Sequence, residues 1–290
     1  MWAYVRYIAA LLLFGSNGIV ASHILLNSYD IVFLRTLIGS IFLIALYFIL
    51  GGRFREARDK KMDLVFIAIS GAAMGANWMF LYEAYARVGV SVASLANYCG
   101  PVVVIALSPL FLKEKLTPLK IAVFMVVIIG MFLVSGRDLA VNGGLSWGLA
   151  CGLISAVMYA FMVLFNMKAK FITGLENSTL QLFFAFVTCA AFIVAKQGFW
   201  LPPIRQSIVP ILFLGVVNTG IGCYLYFSSI GRLQAGVVAI CGYLEPLSAL
   251  VFSAIFLRER LTPVQLLGAL LIIGGAMFYT IVNSRMAAKK

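Results

Sequence analysis

Apolar residues run along this chain in long blocks, and polar residues appear mostly as short punctuation between them. Five blocks lie near residues 3–25, 31–50, 64–86, 91–112 and 119–135, and five more near 146–167, 178–196, 207–229, 236–257 and 264–283. An α-helix of roughly 20 apolar residues crosses about 30 Å of hydrocarbon, so each block is predicted to span a bilayer. The blocks are apolar on every side, as helices facing lipid and other helices must be. The one long hydrophilic run is "GGRFREARDKKMD" at 51–63. The pattern therefore predicts an all-α polytopic membrane protein with ten transmembrane helices.

Composition strengthens this reading. The chain is 63% hydrophobic and 11% charged, with a mean hydropathy of +1.05. A soluble domain could not hide that much apolar surface from water. With 290 residues spread over ten spans, no stretch is left for a separate soluble domain. The first block, "MWAYVRYIAALLLFGSNGIVAS", has some features of a cleavable signal peptide. It is read here as the first helix, because an internal repeat requires it.

The net charge of +12 raises the question of nucleic acid. No basic stripe interleaved with stacking aromatics lies outside the apolar blocks, so that partner is set aside. Basic residues instead follow the sidedness of membrane proteins. With the N-terminus inside, fifteen Lys and Arg fall on the cytoplasmic side, among them Arg53, Arg55, Arg58, Lys60 and Lys61, and six fall outside. Arg35, near or within the second span, completes the set. Both termini are expected to be cytoplasmic, in a bacterial-type inner membrane.

The five cysteines are scattered through apolar blocks and His23 is the lone histidine, so neither a disulfide frame nor a metal site is indicated. No cofactor is implied. No nucleophile elbow or His/Cys/Asp/Glu constellation supports catalysis, so the chain is not read as an enzyme.

"LKEKLTP" at 112–118 returns as "LRERLTP" at 257–263, an offset of 145 residues. At that offset Trp2 pairs with Trp147, Gly75 with Gly220, Tyr98 with Tyr243, and Pro101 with Pro246. Matches of Tyr, Pro and a whole phrase in one register indicate duplication, into repeats 1–145 and 146–290. Each repeat holds five spans, an odd number, so the second copy must cross the membrane inverted. Such 5+5 inverted repeats fit a secondary transporter, whose halves exchange conformations around a site near the midplane.

Pro101 and Pro246 mark that site as hinges. Neither can donate to the preceding turn, which frees carbonyls beside Tyr98 and Tyr243. The plain alternative is a kink tolerated for packing. Asn77, Trp78, Tyr82 and Asn97 add hydrogen-bonding and aromatic surface suited to an amine or amino acid, although Tyr and Trp also gather at membrane interfaces. Glu245 precedes Pro246 inside the ninth span. It is read as a proton carrier, a contact for a substrate ammonium, or half of an ion pair with Arg35 across the bundle. Glu83, toward the end of the third span, is either solvated at the interface or a further counter-charge. Gly144, Gly148 and Gly152, with Gly71 and Gly75, mark close helix packing, within the fold or between protomers of a homodimer.

These residues carry a family resemblance. Arg35 in "DIVFLRTLIGS", then "NWMFLYEAYARVGVSVASLANYCGP" and "CGYLEPLSALVFSAIFLRERLTPVQLLGALLIIGG", resemble the ten-helix EamA-type members of the drug/metabolite transporter superfamily, end to end and in two repeats. The resemblance implies a central cavity that opens to alternate sides, with substrates ranging over amino acids, amines, sugars, nucleosides and drugs. Glu83 departs from the uncharged residue common in that family. The expected function is secondary active transport of a small metabolite, an amino acid or amine-bearing compound, in the export direction, with protons as the candidate coupling ion. The runner-up is an organic-cation transporter using Glu83 and Glu245. From another class, a membrane enzyme or lipid-handling protein is the competing reading.

Overall fold

The computed structural model of the chain describes residues 2–112, 118–119, 121–123, 125–126, 129–130, 132–133, 146–198, 207–230, 244–258 and 262–287. Its regular structure is helical throughout those residues. Six segments are long and apolar enough to cross a membrane: Ala3–Ser22, Ser28–Ile49, Lys61–Val90, Trp147–Lys168, Gly174–Ala195 and Ile208–Tyr226. Large apolar side chains such as Ile49, Leu110 and Leu270 stay 69–80% exposed, a surface that only lipid would cover at low cost. The chain is a multi-pass helical membrane protein. Parts of the fifth expected span, the start of the ninth including Tyr243, and Gly144 lie outside the described residues.

The first expected span is bent. Helix α1 (Trp2–Gly15) gives way to α2 (Asn17–Ser22) at Ser16. The Leu13 carbonyl accepts from the Ser16 hydroxyl at 2.7 Å and from Asn218 Nδ2 at 2.7 Å, which replaces regular helical bonding there with side-chain donors. Helix α3 (Ser28–Ile49) starts on a cap: Asn27 Oδ1 accepts from the Asp30 amide at 2.9 Å, while Asn27 Nδ2 donates to the Asp30 carboxylate at 2.7 Å. A short α4 (Arg55–Asp59) lies in the hydrophilic run.

The third and fourth expected spans meet in one long element, α5 (Lys61–Asn97), interrupted only by Gly89 at φ 80° and ψ 163°. Only glycine adopts that backbone at little cost. The chain reverses there, because Asn77 Nδ2 donates to Asn97 Oδ1 at 2.9 Å. Twenty residues of straight helix would hold those two about 30 Å apart. A second break follows at Tyr98 and Cys99, after which α6 (Gly100–Leu112) begins. Pro101 is the second residue of α6, where a missing amide donor costs nothing. The interruption expected around Pro101 thus sits just before it.

Helices α7 (Trp147–Lys168) and α8 (Gly174–Gln197) pack on this hairpin. A methyl group built on Gly152 would lie 2.7 Å from the Ala96 Cβ and 4.0 Å from the Ala84 Cβ, so both legs of α5 crowd this one glycine. Gly148 meets Arg87 and Val88, while Gly71 and Gly75 meet the α8 backbone at Gln181 and Ala185. These glycines serve packing within the fold.

The eighth expected span is α9 (Ile208–Leu212), a π-helical stretch (Phe213–Ile221) and α10 (Gly222–Ile230). The π stretch closes on α3 through a tight seam. A methyl group on Gly39 would lie 2.9 Å from Thr219 Cγ2 and 3.1 Å from the Gly215 carbonyl. Helices α11 (Leu244–Phe256) and α12 (Pro263–Ala287) complete the described chain, with α11 against α1.

Candidate functional site

Arg35 is the eighth residue of α3, about 10 Å inside the helix from its start. It is fully buried at 0% exposure. Its Nε donates to Thr219 Oγ1 at 2.9 Å, and its Nη1 donates to the Tyr82 hydroxyl. The guanidinium carbon lies 4.4 Å from the Trp78 ring centroid and 5.1 Å from that of Tyr82. Among the described residues Nη2 has no hydrogen-bond partner. Trp78 and Tyr82 are one helical turn apart on α5, which places both rings on the same face toward α3.

A charge this deep costs about 2.5–3.5 kcal/mol on insertion scales. Hydrogen bonds to a charged group return roughly 1.5–3 kcal/mol each, and ring contact roughly 0.5–2. Neutral partners therefore suffice to hold the guanidinium. The ion pair expected between Arg35 and Glu245 is not found among the described residues, where the one salt bridge joins Arg87 to Glu83 at 2.7 Å. Hydroxyls and ring faces take the place of the acid that Arg35 was expected to hold.

A second polar cluster sits at the foot of the α5 hairpin. Asn77 Nδ2 donates to Asn97 Oδ1 at 2.9 Å and to the Ser155 carbonyl at 2.7 Å. The Ser155 hydroxyl donates to Asn97 Oδ1 at 3.0 Å and to the Gly152 carbonyl at 2.6 Å. All three side chains are buried. The network ties α7 to the residue just before the break at Tyr98.

Glu245 forms a third feature, in the first turn of α11. Its backbone carbonyl accepts from the Ser248 hydroxyl at 2.9 Å. Among the described residues no hydrogen bond or ion pair reaches its carboxylate. Tyr85, Tyr98 and Tyr226 lie within its electrostatic reach, and Tyr85 is also within reach of Arg35. The Tyr82 and Tyr85 rings are 5.2 Å apart, so aromatic surface links the two charged regions. Nearby, Asn218 of the π stretch donates to Leu13 and Ser16 at the bend between α1 and α2, leaving its Oδ1 without a partner.

The structure thus gathers Arg35, Trp78 and Tyr82 in one nest, joins Asn77 to Asn97, and sets Tyr98 near Glu245. Tyr243 is outside the described residues. Pro246, like Pro101, falls in the first turn of its described helix. Glu83 stands apart from the other site residues, engaged one turn along by Arg87. Sequence reasoning passed over Thr219, Ser155 and Tyr85. Tyr85 carries a signal, since residues 78, 82 and 85 share a helical face. Thr219 and Ser155 have none, being single hydroxyls in apolar runs.

The model of the EamA-like transporter family matches this chain twice, over residues 1–136 and 146–281. A relative from Bacillus subtilis (strain 168), "Uncharacterized transporter YxxF", is 26% identical over 293 residues, covering 97% of this chain and 90% of that protein. "Threonine/homoserine exporter RhtA" from Escherichia coli (strain K12) is 26% identical over 255 residues, 86% of this chain and 80% of its own. "Probable terminal-alkyne amino-acid exporter" from Streptantibioticus cattleyicolor is 27% identical over 241 residues, 80% of this chain and 77% of its own. A solved crystal structure shares the fold with a TM-score of 0.65 at 17% identity, over 98% of both chains.

Proposed function

The chain belongs to the EamA-like transporter family of the drug/metabolite transporter superfamily, and from that premise we propose that it exports a small amino acid or similar amine-bearing metabolite by alternating access. The family is one of transporters and not of enzymes, and its members work on small molecules in a membrane. The observation that carries the substrate class is the Glu245 carboxylate. It stands in an apolar bundle without a partner among the described residues, within reach of Tyr85, Tyr98 and Tyr226. An acid and aromatic rings are what an ammonium group needs once it has left water. The names of two relatives, both amino-acid exporters, point the same way.

The mechanism proposed is that of two inverted five-helix repeats, 1–145 and 146–290, with both termini in the cytoplasm. The double family match and the 145-residue offset support the duplication. The excess of Lys and Arg on one side supports the orientation. In this reading the break at Tyr98 is a moving joint, with Pro101 fixing the helix start beyond it, and the 145-residue offset gives Tyr243 and Pro246 the matching roles in the second repeat. Asn77 and Asn97 hold the first joint through Ser155.

Substrate-induced current in proteoliposomes tests the proposal, with amino acids and permanently charged amines as probes and with or without a pH gradient. Amino-acid currents that depend on a proton gradient support coupled export, and a tenfold or larger loss in Glu245→Gln assigns that carboxylate to the substrate or its proton. Currents confined to permanently charged amines would replace the amino acid with an organic cation. Turnover of a probe in detergent, without a sealed bilayer, would overturn transport.

A further inference from the structure

We propose that Arg35 is the subsite for the carboxylate of the transported metabolite, with its unpartnered Nη2 as the donor that the substrate completes. This rests on the reading that the chain carries an amino-acid-like compound, and it adds the group that reads the acid end.

Three observations converge on it. The guanidinium is fully buried, yet no carboxylate meets it among the described residues. Asp30, the acid nearest to it along α3, accepts from Asn27 Nδ2 through Oδ2, and although its Oδ1 has no partner among the described residues, no ion pair joins it to Arg35. Arginine presents paired N–H groups in a fork that fits a carboxylate. Here Nε and Nη1 are tied to hydroxyls while Nη2 is left over. A structural arginine would be expected to have every donor satisfied, because an unmet buried donor destabilises the fold.

The surroundings suit a site that opens and closes. Trp78 and Tyr82 cover the guanidinium with their rings, so its plane is held without consuming Nη2. Thr219, the acceptor of Nε, lies in the π-helical stretch and turns its own hydroxyl back to the Leu214 carbonyl at 2.8 Å. Such π segments interrupt regular α-helical bonding and recur at functional sites. A shift of that stretch away from α3 would release Nε beside Nη2 and present both donors to one carboxylate. The Tyr82 and Tyr85 rings lie 5.2 Å apart beside Arg35, and Tyr85 feels the charges of both Arg35 and Glu245. A zwitterion would lay its carboxylate toward Arg35 and its ammonium toward Glu245.

The experiment is counterflow in proteoliposomes with each protein amino acid beside its own carboxamide, for wild type, Arg35→Lys and Arg35→Gln. Each variant's melting temperature in detergent is measured in parallel. The expected result is at least a tenfold preference of wild type for the acid over the amide. That preference should fall at least tenfold in both variants, through KM more than through maximal rate, with carboxamide transport retained. Wild type that carries acids and amides equally overturns the Arg35 subsite and leaves amino-acid export standing. Variants that lose acid and amide transport in parallel, with lowered melting temperature, overturn it too and make Arg35 a structural cross-link. Absence of amino-acid counterflow in wild type overturns both the subsite and the export reading.

Discussion

Arg87 and Arg35 both meet the α5 hairpin, and they are held in opposite ways. Arg87, near the turn at Gly89, is half-exposed and pairs with Glu83 one helical turn away at 2.7 Å. Arg35 reaches the other leg from α3, is fully buried, and is held by Thr219, Tyr82 and the face of Trp78. At the rim, water reaches the Arg87 end of the pair and screens it in part. In the bundle, an acid beside Arg35 would bring a second desolvation cost and leave the guanidinium satisfied. Neutral partners keep it in place and keep one donor unspent. Charge alone does not separate the two arginines; the unmet donor on Arg35 does.

Replacing Trp78 with Ala should strain this contrast most. It removes the ring over the buried guanidinium and leaves a gap, and because Trp78 is only partly buried the cost should be at or below the roughly 3–5 kcal/mol of a fully buried aromatic. A large drop in melting temperature is expected in detergent or nanodiscs, with Trp78→Phe restoring most of it. A variant as stable as wild type would show that the ring does not hold Arg35. Next comes Thr219→Val, of similar shape but without the acceptor. A second unmet guanidinium donor should cost about 1–3 kcal/mol, and an unchanged melt would place the Nε bond among the dispensable ones. Ser155→Ala is expected to cost roughly 1 kcal/mol, since Asn97 Oδ1 keeps its bond from Asn77. Cysteine cross-linking across the α5 break would report whether the joint loosens with it. Glu83→Gln should change neither the melt nor amino-acid transport. A clear transport defect would return Glu83 to the site.

The helices were legible because apolar run length alone separates a bilayer span from a loop. The break before Pro101 was legible for a local reason too, since proline forbids one backbone bond wherever it sits. Trp78 and Tyr82 were flagged as aromatic residues in a span, but not as the walls of one arginine nest. Their partner is 43 residues away in the case of Trp78 and Arg35, and 184 in that of Arg35 and Thr219. Glu83 was legible as a membrane charge and open in its role. Arg87 four residues later supplied the signal, yet that spacing becomes a pair only if both side chains reach the same rim.

The sequence by itself determined the membrane class, the helical composition, a short connection between the blocks at 64–86 and 91–112, and the repeated phrase that speaks for duplication. These follow from one-dimensional quantities: hydropathy, length, and which residues lack a donor or tolerate positive φ. Only the tertiary structure decided that, among the described residues, Arg35 meets hydroxyls and rings and no acid, that Asn77, Asn97 and Ser155 form one network, and that the eighth span loosens into a π stretch at Thr219. The reason is physical. In a bundle where most side chains are apolar, a polar group finds whichever few partners the packing of distant helices brings within about 3 Å, and sequence spacing carries no record of that approach.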